Sequence, residues 1–245
     1  AFRHCKNADI FILHPQGRTS EIQRRQMTTV QADNVFNVAI EGTFDDCQAL
    51  VKALFADEKL RRDLSLSAVN SINFARIMAQ VAYYAAAASA LGAPHRPVSF
   101  AVPTGNFGNV YAAWVARRMG FPIGQLVIGT NRNDILTRFF ETGSMTVESV
   151  VPSLSPSMDI QVSSNFERYL CEALDRDHLA VVRLMDDLKN KKSFTVPPAV
   201  LERAQADFCA YRCADLNTIE MVRECHASTG LTIDPHTAVA LSAAV

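Results

Sequence analysis

The feature that most constrains this chain is the segment 98–119. Val98-Ser99-Phe100-Ala101-Val102-Pro103 is a short apolar run that reads as a buried strand. Strands buried in this way belong to parallel sheets covered by helices. Thr104-Gly105-Asn106-Phe107-Gly108-Asn109 follows as a loop, and 110–119 as a helix ended by Gly120-Phe121-Pro122. A glycine-rich turn between such a strand and a helix offers several unpaired backbone N–H groups at the helix N-terminus. Those donors and the helix dipole favour an anion, usually a phosphate. Gly105 and Gly108 take Cβ atoms out of the way of a close backbone approach. Asn106 and Asn109 add amide groups. The spacing is not G-x-G-x-x-G, and no Lys-Ser/Thr follows, so the expected anion is the phosphate of a small cofactor or substrate. The alternative, on these residues alone, is a tight turn that binds nothing.

The rest of the chain repeats the strand–helix alternation. Runs at 10–13 and 35–40 read as strands, and 20–27 and 44–55 as helices, the latter with Phe44, Cys47, Leu50, Val51, Leu54 and Phe55 at helical spacing. Residues 59–69 carry mixed charge and serines and read as a connection. The run 72–91 is apolar nearly all round, so a buried helix is expected, with Asn70 or Ser71 as its cap. A strand at 125–130 and a helix at 134–140 follow. The stretch 151–164, with Pro152, Pro156 and five serines, reads as loop, and 165–228 as mainly helical. This order predicts an α/β protein with parallel sheets.

Composition narrows the classes. In 245 residues, 24 basic and 25 acidic side chains leave a net charge of −1, which gives no bulk attraction for nucleic acid or an anionic membrane. No apolar run approaches the roughly 20 residues needed to cross a bilayer. The opening residues lack a signal-peptide pattern. Six scattered cysteines suit reduced thiols and a cytoplasmic setting. The close pair Cys209 and Cys213 reads as a coincidence on a helix face, with no second ligand pair to make a metal site.

Arg76 sits one turn into an uncharged helix. It calls for an anionic partner such as a phosphate or carboxylate, or else is an ordinary surface arginine. Asp234-Pro235-His236-Thr237 reads as a helix start, with Asp as cap and Pro at the first position. His14, His95 and His236 each adjoin a proline and read as turn or helix-start histidines.

Pro103-Thr104-Gly105-Asn106-Phe107-Gly108-Asn109 resembles the phosphate-binding loop of threonine synthases, pyridoxal-phosphate enzymes of the tryptophan-synthase-β-like fold. Ile12-Leu13-His14-Pro15-Gln16-Gly17-Arg18, Gly42-Thr43-Phe44-Asp45-Asp46-Cys47-Gln48, Asn70-Ser71-Ile72-Asn73, Gly129-Thr130-Asn131, Ser157-Met158-Asp159 and Asp234-Pro235-His236-Thr237-Ala238-Val239 resemble further family segments, in this order. The resemblance spans essentially the whole chain. It implies fold type II, with two lobes and parallel-rich sheets. Residues 1–65 would be what remains of the smaller lobe. Residues 66–245 would be most of the larger lobe, with a helical insertion near 165–228.

The resemblance also implies the reaction of O-phospho-L-homoserine with water to give L-threonine and phosphate. Pyridoxal 5'-phosphate would be held by its phosphate on Gly105, Asn106, Phe107, Gly108 and Asn109, while Ser71, Asn73 and Arg76 face the substrate phosphate. None of the lysines Lys6, Lys52, Lys59, Lys189, Lys191 and Lys192 matches the family's Schiff-base position, so no catalytic residue is named. The chain is expected to be a central portion of a cytoplasmic enzyme, a monomer or homodimer, inactive by itself. A threonine-synthase-like phospho-lyase, another enzyme of the same fold and a non-catalytic homologue are the rival readings. A dehydratase or cysteine synthase is disfavoured, because its loop usually has three or four near-consecutive glycines.

Overall fold

A computed structural model describes residues 2–69 and 73–245. The chain divides into two compact units, Ala1–Ser67 and Ala68–Val245.

In the first unit, β1 (Ile10–Pro15) and β2 (Val35–Ile40) run parallel, with Ile10 opposite Val35 and Pro15 opposite Ile40. Helix α1 (Glu21–Thr28) connects them and begins at Ser20, whose hydroxyl accepts from Gln23 N–H. Helix α2 (Phe44–Ala56) starts in a capping box. The Thr43 hydroxyl accepts from Asp46 N–H, and the Asp46 carboxylate accepts from Thr43 N–H. The segment expected to be a connection contains a third helix, α3 (Glu58–Asp63), capped by Asp57.

The second unit opens with α4 (Phe74–Ala90). The Asn73 side chain caps it by accepting from Ala75 N–H. Asn70 and Ser71, the expected caps, lie outside the described residues. This helix is not buried all round. Ile77, Val81, Tyr84 and Ala88 make one buried stripe, whereas Phe74, Met78 and Tyr83 are exposed. Their i, i+4, i+7, i+11 spacing is that of a single helix face.

Next come β3 (Val98–Pro103), α5 (Gly108–Arg118), β4 (Ile123–Thr130) and α6 (Ile135–Thr142). Strands β5 (Ser144–Thr146) and β6 (Ser193–Thr195) form a small antiparallel pair around α7 (Phe166–Ala173) and α8 (His178–Lys191). Helix α9 (Pro198–Asp207) then runs directly into β7 (Phe208–Arg212), and α10 (Asp215–Thr229) and α11 (Pro235–Ser242) complete the unit.

The main sheet is parallel, in the order β3-β4-β7. The stretch 165–228 is therefore not purely helical, because β7 adds the third strand. Cys209 lies on that strand and Cys213 just beyond it, not on a helix face. Helix α11 packs on β3 and β4, α4 on α5, and α5 on β4. Between these layers Phe107, Phe139, Phe140, Phe166, Tyr169 and Phe208 form a continuous aromatic core.

Candidate functional site

The backbone makes the 104–109 loop a shaped turn. β3 delivers it at Pro103, opposite Gly129, and Thr104 N–H donates to the Gly129 carbonyl at 2.8 Å. α5 leaves it at Gly108, two residues earlier than the sequence suggests. Phe107 stands at the N-cap in the left-handed region (φ 64°), where an L-residue costs roughly 1–2 kcal/mol. Its ring is 1% exposed and meets Phe166 edge-on at 4.9 Å and Phe208 at 5.3 Å. Burying a phenylalanine contributes about 2–3 kcal/mol, enough to offset the strain. Phe107 can therefore offer a ligand only its backbone.

Two carbonyls fix where the loop donors point. The Ser163 hydroxyl donates to Gly105 O at 2.8 Å. Asn165 donates to Asn106 O through its backbone N–H at 3.2 Å and its Nδ2 at 3.1 Å. A trans peptide aims its C=O and N–H in opposite directions, so the N–H groups of Asn106 and Phe107 point away from 163–165. The Phe107 carbonyl accepts from Tyr111 N–H as the first helical bond, and Phe107 brings no side-chain cap of its own. Among the described residues nothing accepts from the Asn106 and Phe107 N–H groups, so the helix N-terminus presents donors and the positive end of its dipole there.

The Asn106 Oδ1 accepts from the Ser164 hydroxyl at 3.2 Å, which braces the loop. Asn109 Oδ1 accepts from the Tyr84 hydroxyl at 2.7 Å, tying the loop to α4. Burial pushes the ionisation of Tyr84 far up, so it remains a donor.

Gly105 is also closely packed by the protein itself. A Cβ there would lie 3.1 Å from Met158 Cα and 3.1 Å from the Ile160 side chain. Residues 158–160 would have to give by a few tenths of an ångström to admit a side chain there. Gly108 is buried at the first position of α5.

Of the candidate substrate residues, Ser71 lies outside the described residues. Asn73 commits both ends of its amide, with Oδ1 accepting from Ala75 N–H and Nδ2 donating to Ala68 O, each at 3.0 Å. Arg76 is exposed, and its Nη1 donates to Val69 O at 3.0 Å. No ion pair to it occurs among the described residues, so the anion expected for it is not supplied there. The structure does bring the start of α4 to the loop. The Arg168 guanidinium lies 5.6 Å from the Phe74 ring, and its Nε donates to Asn165 Oδ1 at 3.1 Å. Asn165 in turn holds the Asn106 carbonyl.

Sequence reasoning missed the residues that hold this loop: Ser163, Ser164, Asn165 and the segment behind Gly105. The serines and prolines of 151–164 read as loop, and only Ser157-Met158-Asp159 within it is singled out, by resemblance. Asp234 does cap α11, accepting from the N–H groups of His236 and Thr237. Among the described residues there is no cluster of potential metal ligands, and no helix is long and apolar enough to cross a membrane.

The sequence pattern of the pyridoxal-phosphate dependent enzymes matches residues 4–245. The chain belongs to the pyridoxal-phosphate dependent enzyme family. Among relatives in this family, a threonine synthase from Pseudomonas aeruginosa is 52% identical over 242 residues, covering 99% of this chain and 52% of its own. The structure of a pyridoxal-phosphate-bound threonine synthase from Brucella melitensis superposes with a TM-score of 0.86 at 51% identity, over 96% of this chain and 51% of that one. Yeast threonine synthase superposes with a TM-score of 0.83 at 41% identity, over 98% and 50%. This member of the family spans about half the length of the relatives it matches. It has their α/β fold, fold type II of the pyridoxal-phosphate enzymes.

Proposed function

We propose that the intact protein is a threonine synthase, which converts O-phospho-L-homoserine and water to L-threonine and phosphate with pyridoxal 5'-phosphate as cofactor. One observation carries the reading. An uncapped α5 N-terminus, with its loop N–H groups turned outward by Ser163 and Asn165, occurs in a chain 52% identical to a threonine synthase. The donor set fits a phosphate, since backbone N–H groups and a helix dipole recognise an anion without needing a charged side chain.

Gly105, Asn106, Phe107, Gly108 and Asn109 would hold the cofactor phosphate. Asn106 and Phe107 would contribute backbone N–H groups, and Asn109 its amide nitrogen. When bound, the cofactor supplies a ring that accepts carbanion charge from the substrate. The loop fixes the position and tilt of that ring by gripping the phosphate at a distance from the reacting carbons. Arg76 would meet the substrate phosphate, and a guanidinium suits it because it presents paired N–H donors to two oxygens. Asn73 would act on the substrate through the turn it caps, which sets where α4 begins and so where Arg76 starts. Ser71 would join them. The protein would work in the cytoplasm as a monomer or homodimer, with Ala1–Ser67 as part of a smaller lobe and Ala68–Val245 as most of a larger one.

The test is product analysis on the intact protein. Threonine and phosphate released in equal amounts from O-phosphohomoserine is the expected result, with cofactor occupancy lost in Gly105→Val. An α-keto acid in place of threonine would sink the synthase reading. Full cofactor occupancy in Gly105→Val would remove the loop from the site.

A further inference from the structure

Residues 151–165 lie alongside the phosphate loop, and the hydrogen bonds of one side chain anchor them. Asp159 Oδ1 accepts from Asn131 Nδ2 at 2.8 Å, Asn133 Nδ2 at 3.0 Å and the Ser153 hydroxyl at 2.6 Å. Its Oδ2 accepts from Ser153 N–H at 2.9 Å. Asn131 and Asn133 are 2% and 4% exposed and follow the end of β4 directly. Asn131 Nδ2 also reaches the Ser153 and Ser155 hydroxyls, at 2.8 and 2.9 Å. One carboxylate thus collects four donors and fastens a long irregular segment to the rigid strand.

The same segment touches the loop on both sides of Asp159. Met158, its immediate neighbour, is the residue whose Cα would sit only 3.1 Å from a Cβ on Gly105. Ser163, Ser164 and Asn165, a few residues on, hold Gly105 O, Asn106 Oδ1 and Asn106 O. The loop does not orient itself. Its outward N–H groups follow from carbonyls fixed by 163–165, and that segment is registered on β4 through Asp159.

We infer that Asp159 is a positioning residue for the phosphate loop, which sets the direction of the Asn106 and Phe107 N–H groups without touching a ligand. This rests on the reading that 105–109 hold the cofactor phosphate. It adds a residue that the loop sequence does not contain. A site of this kind works only when its supporting groups hold it to a fraction of an ångström.

The experiment compares two probes on the intact protein, pyridoxal 5'-phosphate and pyridoxal, which differ only in the phosphate. Dissociation constants are measured by equilibrium dialysis for the unaltered protein, Asp159→Asn and Ser163→Ala. Asp159→Asn keeps the shape but removes the charge, and with its oxygen toward the three donors at Oδ1 it sets an NH2 against the Ser153 N–H at Oδ2. It is expected to weaken the phosphorylated probe about tenfold or more, the scale of one charge-assisted hydrogen bond. Pyridoxal binding should stay unchanged, and the phosphorus resonance of the bound probe should shift. Ser163→Ala removes one bond to the loop, with little risk to folding, and should move the ratio of the two constants in the same direction by a smaller factor. A ratio unchanged in both variants would overturn the inference, as would equal weakening of both probes. An unaltered protein that binds the two probes equally would instead remove the loop reading itself, and the inference with it.

Discussion

Phe107 and Phe166 meet edge to face, with ring centroids 4.9 Å apart, and this contact holds the 104–109 loop to the core of the larger unit. Phe107 combines a buried ring with a backbone angle that favours glycine. The two demands predict an unusual order of stability. Phe107→Ala should lose about 3–5 kcal/mol from the cavity and the lost burial. Phe107→Gly leaves a similar cavity but relieves the left-handed strain, so it should be about 1 kcal/mol more stable than the alanine variant. In a helix interior the order is the reverse. Urea unfolding of the three proteins checks this, and an alanine variant at least as stable as the glycine one would dismiss the strain.

Asp207 collects the Trp114 Nε1–H at 2.9 Å, the Tyr169 hydroxyl at 2.8 Å and the Arg117 guanidinium. Burial, reinforced by the neighbouring Asp207 charge, pushes the Tyr169 ionisation far up, so its hydroxyl remains a donor. Asp207→Ala would strand two buried neutral donors, at about 2–4 kcal/mol in total. Trp114 is the single tryptophan of the chain, so its emission reports on this spot alone. The variant is expected to melt lower and to show a shifted emission maximum. An unchanged spectrum would mean that the indole N–H finds another partner.

The sequence makes the strand–loop–helix unit at 98–118 legible because it is local. An apolar strand, two glycines and a helix lie within about twenty residues, and the strand bounds Val98–Pro103 agree with the observed ones. The parts that were not legible depend on distant partners. Strand β7 is only five residues long and follows α9 with no glycine or proline between them, so it reads as more helix. In Asn70-Ser71-Ile72-Asn73 three residues can cap a helix, and nothing local favours Asn73. The exposed side of α4 has the same apolar composition as its buried side, so composition alone predicted burial all round. Ser163 and Asn165 are ordinary residues until the fold brings them to Gly105 and Asn106, and the resemblance marks Asp159 without saying that it reaches Asn131.

Gly129 and Gly124 on β4 should respond differently to the same change. A Cβ on Gly129 would lie 2.9 Å from the Val239 carbonyl and 3.0 Å from Ala240 Cα, both backbone atoms of α11. The helix would have to lift from the sheet, at about 1–3 kcal/mol. A Cβ on Gly124 would meet the Ser99 Oγ at 2.8 Å, and a hydroxyl can rotate away. Gly129→Ala is therefore expected to lower the melting temperature more than Gly124→Ala. Equal shifts would contradict the close packing of α11 on β4.

The capping box of α2 gives a pH dependence whose sign can be worked out. Thr43 N–H donates to Asp46 Oδ2 at 2.6 Å and the Thr43 hydroxyl donates to it at 2.8 Å, and these bonds, the backbone one first, hold the Asp46 carboxyl below its ordinary value of 3.8. A carboxyl lowered by folding stabilises the fold at pH values above its unfolded value. That contribution is lost as pH falls below 3.8 and through the lower folded value. Both residues are near the surface, so the cap is worth no more than about 1 kcal/mol. The Thr43 amide resonance should titrate with a midpoint below that of an unfolded aspartate, and in Asp46→Asn it should stay flat. A midpoint at or above the unfolded value would show that the reciprocal bond from Thr43 does not persist in solution.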